Sequence, residues 1–222
     1  MSLGGVPRAS FVHEEELVGA SPGREPAFVE VSTLRRLILE EWMSLDGFAV
    51  DAEGTLDFFP PSEADRFSDR DQLEFLESVD TILLGRRTYE LFVDFWPTAT
   101  TDKEIVADRL NELPKLVFSN TLSEAPWGAW PPARVVHGDA VTEIERMKAQ
   151  DGKHMVLWGS LSLAQSLIAA DLIDEYHVQL CPTLVGGGRT LFPSLQGYAR
   201  LKRVNVRTYE TGAVFLHYEP QR

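Results

Sequence analysis

Val156-Leu157-Trp158-Gly159-Ser160-Leu161-Ser162 decides the fold class of this chain. A short apolar run ends in two small residues, and Leu161, Ala164, Ile168 and Leu172 then recur at helical spacing. An apolar run without alternation suits a strand covered on both faces, and a strand that passes directly into a helix is the repeating unit of a mostly parallel sheet. The first backbone N–H groups of the helix have no partner within it, so a turn of small residues there lets a phosphate approach closely. Ser160 or Ser162 can equally be an ordinary helix cap, since the segment has neither the GxGxxG spacing of a dinucleotide fingerprint nor a phosphate-loop lysine.

Upstream, Leu84-Gly85-Arg86-Arg87-Thr88-Tyr89 has the same design. The strand Thr81–Leu84 ends at a glycine, and two arginines open the next helix, where guanidinium forks and free N–H groups together suit an anion. A basic helix start after a tight turn is the plainer reading. Around these two segments the pattern predicts strands over 37–43, 115–118, 134–136 and 154–158, and helices over 65–78, 88–92, 102–113 and 140–149. The first strand leads into the turn Ser44-Leu45-Asp46-Gly47. Longer alternating segments over 174–185, 201–209 and 213–219, with a hairpin at Thr211-Gly212, predict antiparallel strands closing one edge. Gly186-Gly187-Gly188-Arg189 reads as a flexible turn, because no helix follows it. Residues 1–33 show no sustained period and read as a flexible N-terminal extension, leaving 34–222 as one domain.

With 222 residues, 44% of them hydrophobic, the chain can bury a sizeable core. Its 21 Lys and Arg against 34 Asp and Glu give a net charge of −13, which argues against nucleic acid or an anionic membrane as a partner. The longest uncharged run, 155–170, is too short and too polar to span a bilayer, and the N-terminus lacks a signal core; a cytoplasmic protein is expected. Cys181 is alone and sits in an apolar run. The histidines at 13, 137, 154, 177 and 217 lack ligand-like spacing, so no metal is expected. Ser160 lacks the second glycine of a G-x-S-x-G elbow, which sets acyl transfer aside. Asp65, Asp69 and Asp71 fall on or just before the amphipathic helix over 65–78, where one inward carboxylate can grip a protonated heterocycle. Helical geometry places Asp69 near Leu73 and Leu76 on the buried side and leans Asp71 toward solvent.

Taken together, SLDGF at 44–48, DTILLGRRTYE at 80–90 and VLWGSLSLAQSLIAADLIDEYHVQLCPTLVGGGRTLF at 156–192 resemble the dihydrofolate reductase superfamily. The branch is that of the C-terminal reductase domain of bifunctional riboflavin-biosynthesis proteins, over about residues 35–219. The resemblance implies an α/β three-layer sandwich with a mostly parallel central sheet, antiparallel C-terminal strands and helices on both faces. It implies an NADPH-dependent reductase of a small nitrogen heterocycle, of pterin or ribosylamino-pyrimidine type. By the same resemblance Gly85, Arg86, Arg87 and Thr88 hold the adenosine phosphates, with Arg86 or Arg87 reading the 2′-phosphate and Ser119 near the ribose or adenine. Gly159, Ser160, Leu161 and Ser162 hold the pyrophosphate, and Gly47 lies against the nicotinamide. Asp69 is the first choice for the substrate carboxylate, because its helix precedes the Gly85 strand as the substrate-side helix does in dihydrofolate reductase. The sequence departs from that enzyme at Ser160, where a second glycine is usual, which argues against folate as substrate, and it carries no deaminase zinc signature, which favours a stand-alone or different-substrate reductase over the full riboflavin enzyme. Related domains pair through the region of Val185 to Phe192, so a homodimer is expected. The competing function is a non-catalytic nucleotide-binding or assembly module that keeps the fold.

Overall fold

The computed structural model describes residues 35–59, 66–194 and 197–222, with the side chains of residues 66–69 outside that description. The extension expected over 1–33 and Asp65 therefore lie outside the described residues, as does the side chain of Asp69. In chain order the elements are β1 (Leu37–Ser44), β2 (Phe48–Asp51), α1 (Arg66–Glu77), β3 (Val79–Gly85), α2 (Arg86–Phe95), α3 (Ala107–Glu112), β4 (Lys115–Phe118), β5 (Ala125–Trp127) and β6 (Trp130–Val136). They continue as α4 (Ala140–Lys148), β7 (His154–Trp158), α5 (Leu161–Ala169), β8 (Glu175–Cys181), β9 (Gly188–Thr190), β10 (Leu201–Thr208) and β11 (Val214–Pro220).

The main sheet runs β10-β11-β8-β1-β7-β3-β4-β6-β5. Its interior, from β8 to β6, is parallel, while β11 and β10 close one edge antiparallel and β5 closes the other. Alternation along the strands divides the core between the two faces. Met155 and Leu157 of β7 pack with Leu39, Leu83, Ile144 and Leu167 under α4 and α5. Val156 and Trp158 pack with Leu76, Ile82, Leu84 and Leu110 under α1, α2 and α3. Near-continuous apolar strands follow from this double burial, because each neighbouring side chain meets a different helical layer.

The differences from the sequence reading lie in short or interrupted segments. Ala125–Trp127 forms an edge strand although Pro126 sits in it, since an edge leaves room for a residue with no N–H to donate. The helix expected over 102–113 begins only at Ala107, because Lys103 and Glu104 both donate to the Thr100 carbonyl in a turn that does not propagate. The strand expected to reach 185 stops at Cys181, before Pro182. Gly186-Gly187-Gly188 leads into β9, which pairs antiparallel with β2, so this run is tied down instead of flexible. No helix among the described residues is long and apolar enough to cross a membrane.

Candidate functional site

Parallel strands β1, β3, β4 and β7 all end on one side of the sheet, and α2 and α5 begin there, so the two phosphate-like turns are neighbours. They are stitched together by one hydroxyl. Ser160 Oγ accepts the Gly85 N–H at 2.7 Å and lies 2.9 Å from Thr88 Oγ1 and 3.0 Å from the Trp158 carbonyl. Gly159 and Ser160 both take left-handed backbone, φ +54° and +62°. For Ser160 that conformation costs about 1 kcal/mol, which the hydrogen bonds of its side chain offset. A Cβ on Gly159 would press on Thr88 at 3.2 Å, so glycine is what lets the two turns touch. Leu161 is buried behind the turn, whereas Ser162 is exposed, with Arg189 of β9 3.5 Å from its Oγ.

The two arginines are not equivalent. Arg86 pairs with Glu90 at 2.7 Å and donates to Thr121 Oγ1 at 2.9 Å, and the Thr121 N–H in turn donates to Ser119 Oγ. Ser119 thus joins the same surface through the turn that follows β4. Arg87 is exposed and has no ion-pair partner among the described residues.

Gly47 has φ +91° and open space around it. The turn it ends is held from within by Ser44, whose Oγ donates to Asp46 at 2.7 Å and accepts from the Phe48 N–H at 3.0 Å. Asp46 reaches across to accept the N–H groups of Gly186 at 2.8 Å and Val185 at 3.2 Å, and the Leu45 N–H donates to the Thr183 carbonyl. Hydrogen bonds from Ser44 and from the backbone hold the Asp46 carboxyl below its ordinary range. One carboxylate therefore fastens the β1–β2 turn to the β8–β9 turn.

On the α1 face, a cavity of about 280 Å³ opens between α1 and the strands β1, β8, β10 and β11. Glu40 lies in its wall and is the register partner of Trp158, the residue immediately before Gly159. Burial pushes the Glu40 carboxyl up to about 7, against hydrogen bonding from Gln72 and Trp158. Glu41 points to the other side of the sheet, and burial pushes it up to about 8. The sequence reading did not single out this acid pair, although two adjacent charges inside an apolar strand send one carboxylate to each face and could have marked it.

Of the aspartates considered, Asp69 belongs to the first turn of α1 and its side chain is outside the described residues. Asp71 does not lean into solvent. It lines the cavity, where it pairs with Arg207 and accepts from Tyr209 Oη at 3.0 Å. The helix presents two faces at once: Leu73 and Leu76 enter the core while Asp71, Gln72 and Glu74 line the cavity, with Phe75 touching both and Ser78 lining it just past the end of the helix. Sequence spacing also missed the juxtaposition of Glu175, His177 and His217. Antiparallel pairing of β8 with β11 sets His177 directly opposite His217, and their ring centroids are 4.4 Å apart.

Known proteins share this fold. A Bacillus subtilis (strain 168) protein of uncharacterised function, YyaP, is 31% identical over 187 residues, covering 83% of this chain and 94% of its own. The crystal structure of a riboflavin biosynthesis protein, so described only provisionally, from Shewanella sp. PV-4 superposes with a TM-score of 0.67 at 25% identity, covering 84% of this chain and 99% of its own. Dihydrofolate reductase from Enterococcus faecalis, complexed with NADP(H), shares the fold with a TM-score of 0.55 at 16% identity, covering 84% and 97%. The profile of the RibD C-terminal domain matches residues 35–215, the span that holds both stitched turns and the cavity lining apart from His217, and the chain belongs to that reductase family.

Proposed function

We propose that this chain binds NADPH across the two stitched turns and reduces a small nitrogen heterocycle, of pterin or ribosylamino-pyrimidine type, held in the cavity under α1. The observation that carries this reading is the register of Glu40 with Trp158, which brings the cavity wall within one residue of the Gly159-Ser160 turn. The residues present fit the cofactor. Two adjacent helix N-termini bring their first-turn N–H groups to the diphosphate, and Arg87, exposed and without an ion-pair partner among the described residues, suits a 2′-phosphate with Arg86 beside it. Gly85, Thr88, Gly159, Ser160, Leu161 and Ser162 form the backbone of that cradle, Ser119 flanks it, and Gly47 leaves space for a flat ring.

When bound, the nicotinamide cofactor supplies the hydride. The chain's own residues orient the acceptor and exclude water. Glu40, beside the cavity and partly protonated near neutral pH, can hold a proton at its carboxyl against a ring nitrogen or carbonyl. Asp69, on the same helix as the cavity-lining Gln72 and Phe75, is kept as the carboxylate for a protonated or amidine-like ring edge.

Binding of the two nicotinamide cofactors tests the reading. NADPH is expected to bind about a hundredfold more tightly than NADH, from charge-assisted bonds to the extra phosphate. The double variant Arg86→Ala/Arg87→Ala is expected to bind both equally, measured by titration of tryptophan fluorescence. Equal affinities in the unmodified protein would remove NADPH from the assignment.

The same reading includes a homodimer. β10 has no partner on its outer side among the described residues, and Val204, Val206 and Leu201 on it are exposed, with Leu184 and Phe192 exposed around β9. An unpaired edge carrying apolar side chains favours a second copy related by a two-fold axis. Sedimentation velocity at micromolar concentration should show a dimer, and Val204→Asp/Val206→Asp a monomer; a monomeric parent protein would refute the pairing.

A further inference from the structure

Glu175, His177 and His217 are not used by the proposed reduction. We propose that these three side chains form a binding site for a divalent first-row transition metal ion of the zinc type, opening into the cavity under α1. The inference goes beyond the reductase reading and does not depend on cofactor binding.

The placement follows from the sheet. Glu175 and His177 are two residues apart on β8 and so share a face, and His217 is brought beside them by its register on β11. The carboxylate oxygen Oε2 of Glu175 is 3.2 Å from His177 Nε2 and 2.9 Å from His217 Nε2. Ligand atoms held about 2.1 Å from one zinc ion stand about 3.0–3.5 Å from each other, so both pairs already have the spacing of a shared ion. All three atoms lie within 4.8 Å of one another, and a small side-chain rotation closes the set.

Two further observations favour ligation over a plain ionic cluster. His217 Nε2 is buried and, despite its nearness to Glu175, makes no aligned hydrogen bond among the described residues. That is the arrangement of two atoms converging on a third point. The second observation is the other carboxylate oxygen: Glu175 Oε1 is held by Arg36 at 2.7 Å, which fixes the carboxylate and leaves Oε2 turned toward the histidines. Outer hydrogen bonds of this kind orient metal ligands.

Donor chemistry sets the class of ion. Two imidazoles and one carboxylate suit zinc and its neighbours better than calcium or magnesium, which prefer all-oxygen shells. Three protein ligands leave a fourth position, and His177 and His217 both line the cavity, so that position faces the cavity's occupant. The amide oxygen of Gln179, buried without a hydrogen-bond partner among the described residues, lies two residues further along the same face of β8. It can accept a hydrogen bond from a water molecule on the ion. Glu40 on β1 and Glu74 on α1 add carboxylates to the lining, where Asp71 offsets Arg207, so the cavity wall carries more acidic than basic groups toward an entering cation.

The test uses the full chain, freed of metal with a chelator and then dialysed, titrated with Zn²⁺ by calorimetry and with Co²⁺ by visible absorption. One ion per chain is expected, with micromolar or tighter affinity and the strong visible bands of low-coordinate Co²⁺. His217→Asn and His177→Gln are each expected to weaken binding by about a hundredfold or more. Circular dichroism and NADPH titration of the same variants show that the fold and the separate cofactor surface persist. If a variant unfolds, Glu175→Gln replaces it in the comparison. Absence of binding to the parent chain would overturn the site, as would binding that all the folded variants retain unchanged. Loss of NADPH binding with Zn²⁺ binding intact would count against the reductase reading alone.

Discussion

Gly188→Ala is expected to break the β2–β9 ladder and with it the cofactor binding proposed above. At φ +140° an added Cβ would stand 2.0 Å from the Val50 carbonyl oxygen and 2.8 Å from the Asp51 carbonyl carbon. Both are backbone atoms, so no side chain can swing aside, and relief requires the two strands to part. The cost is on the order of 3 kcal/mol, or about a hundredfold in the population of the closed loop pair. Hydrogen exchange should show faster exchange at 48–51 and 188–190, together with weaker NADPH binding. Gly187→Ala is the control, because a Cβ there meets nothing within 4 Å. Equal behaviour of the two variants would mean that the ladder is not what organises these loops.

Glu41→Gln is expected to stabilise the protein at alkaline pH and to leave it nearly unchanged at pH 5. Burial first, and the charge of Glu40 after it, raise the folded-state value to about 8 from an ordinary 4.5. A raised carboxyl binds its proton more tightly when folded, so the sign is clear. Below 4.5 both states are protonated and no penalty exists. As the pH climbs toward 8 the unfolded chain ionises while the folded one resists, and stability falls; above 8 the penalty is complete, on the order of 5 kcal/mol. Thermal unfolding from pH 5 to 9 should therefore fall steeply for the parent chain and less for Glu41→Gln. Parallel curves would show that the carboxylate finds solvent when charged.

The parallel interior of the sheet was readable because each of its strands is a short apolar run that passes into a helix with a regular stripe, as Met155–Trp158 passes into Leu161–Ala169. The two phosphate-like turns were readable for the same reason, since position at the end of a buried strand fixes where small residues point. What escaped the sequence depends on long-range pairing. His177 and His217 meet only through the β8–β11 register, and Asp71 enters the cavity only because α1 lies across the boundary between an apolar wall and a polar one. The stitching of the turns was equally hidden, because the notion of Ser160 as an ordinary cap or phosphate ligand did not foresee that its hydroxyl accepts from Gly85, 75 residues away. The three glycines looked loose in isolation, yet Gly188 is fixed by the backbone of a strand near the other end of the domain.

Strand β1 sits in the middle of the sheet, but both of its partners, β7 and β8, come from far later in the chain. During synthesis it must wait, with Leu37, Ile38 and Leu39 unpaired, until residues 154–181 have emerged. Closing so long a loop is entropically costly and contributes no contacts until it is complete, so topology of this kind slows folding and prolongs the life of partly folded chains. The β3–β4–β6 portion can form earlier, since its strands follow each other closely. The side of the molecule that carries the stitched turns and the cavity is assembled last, because the Gly159 turn, the cavity wall and the clamped loops all need β1 in place. A nascent or truncated chain ending before β8 therefore presents an open parallel edge instead of a pocket, and is the form most exposed to aggregation and proteolysis.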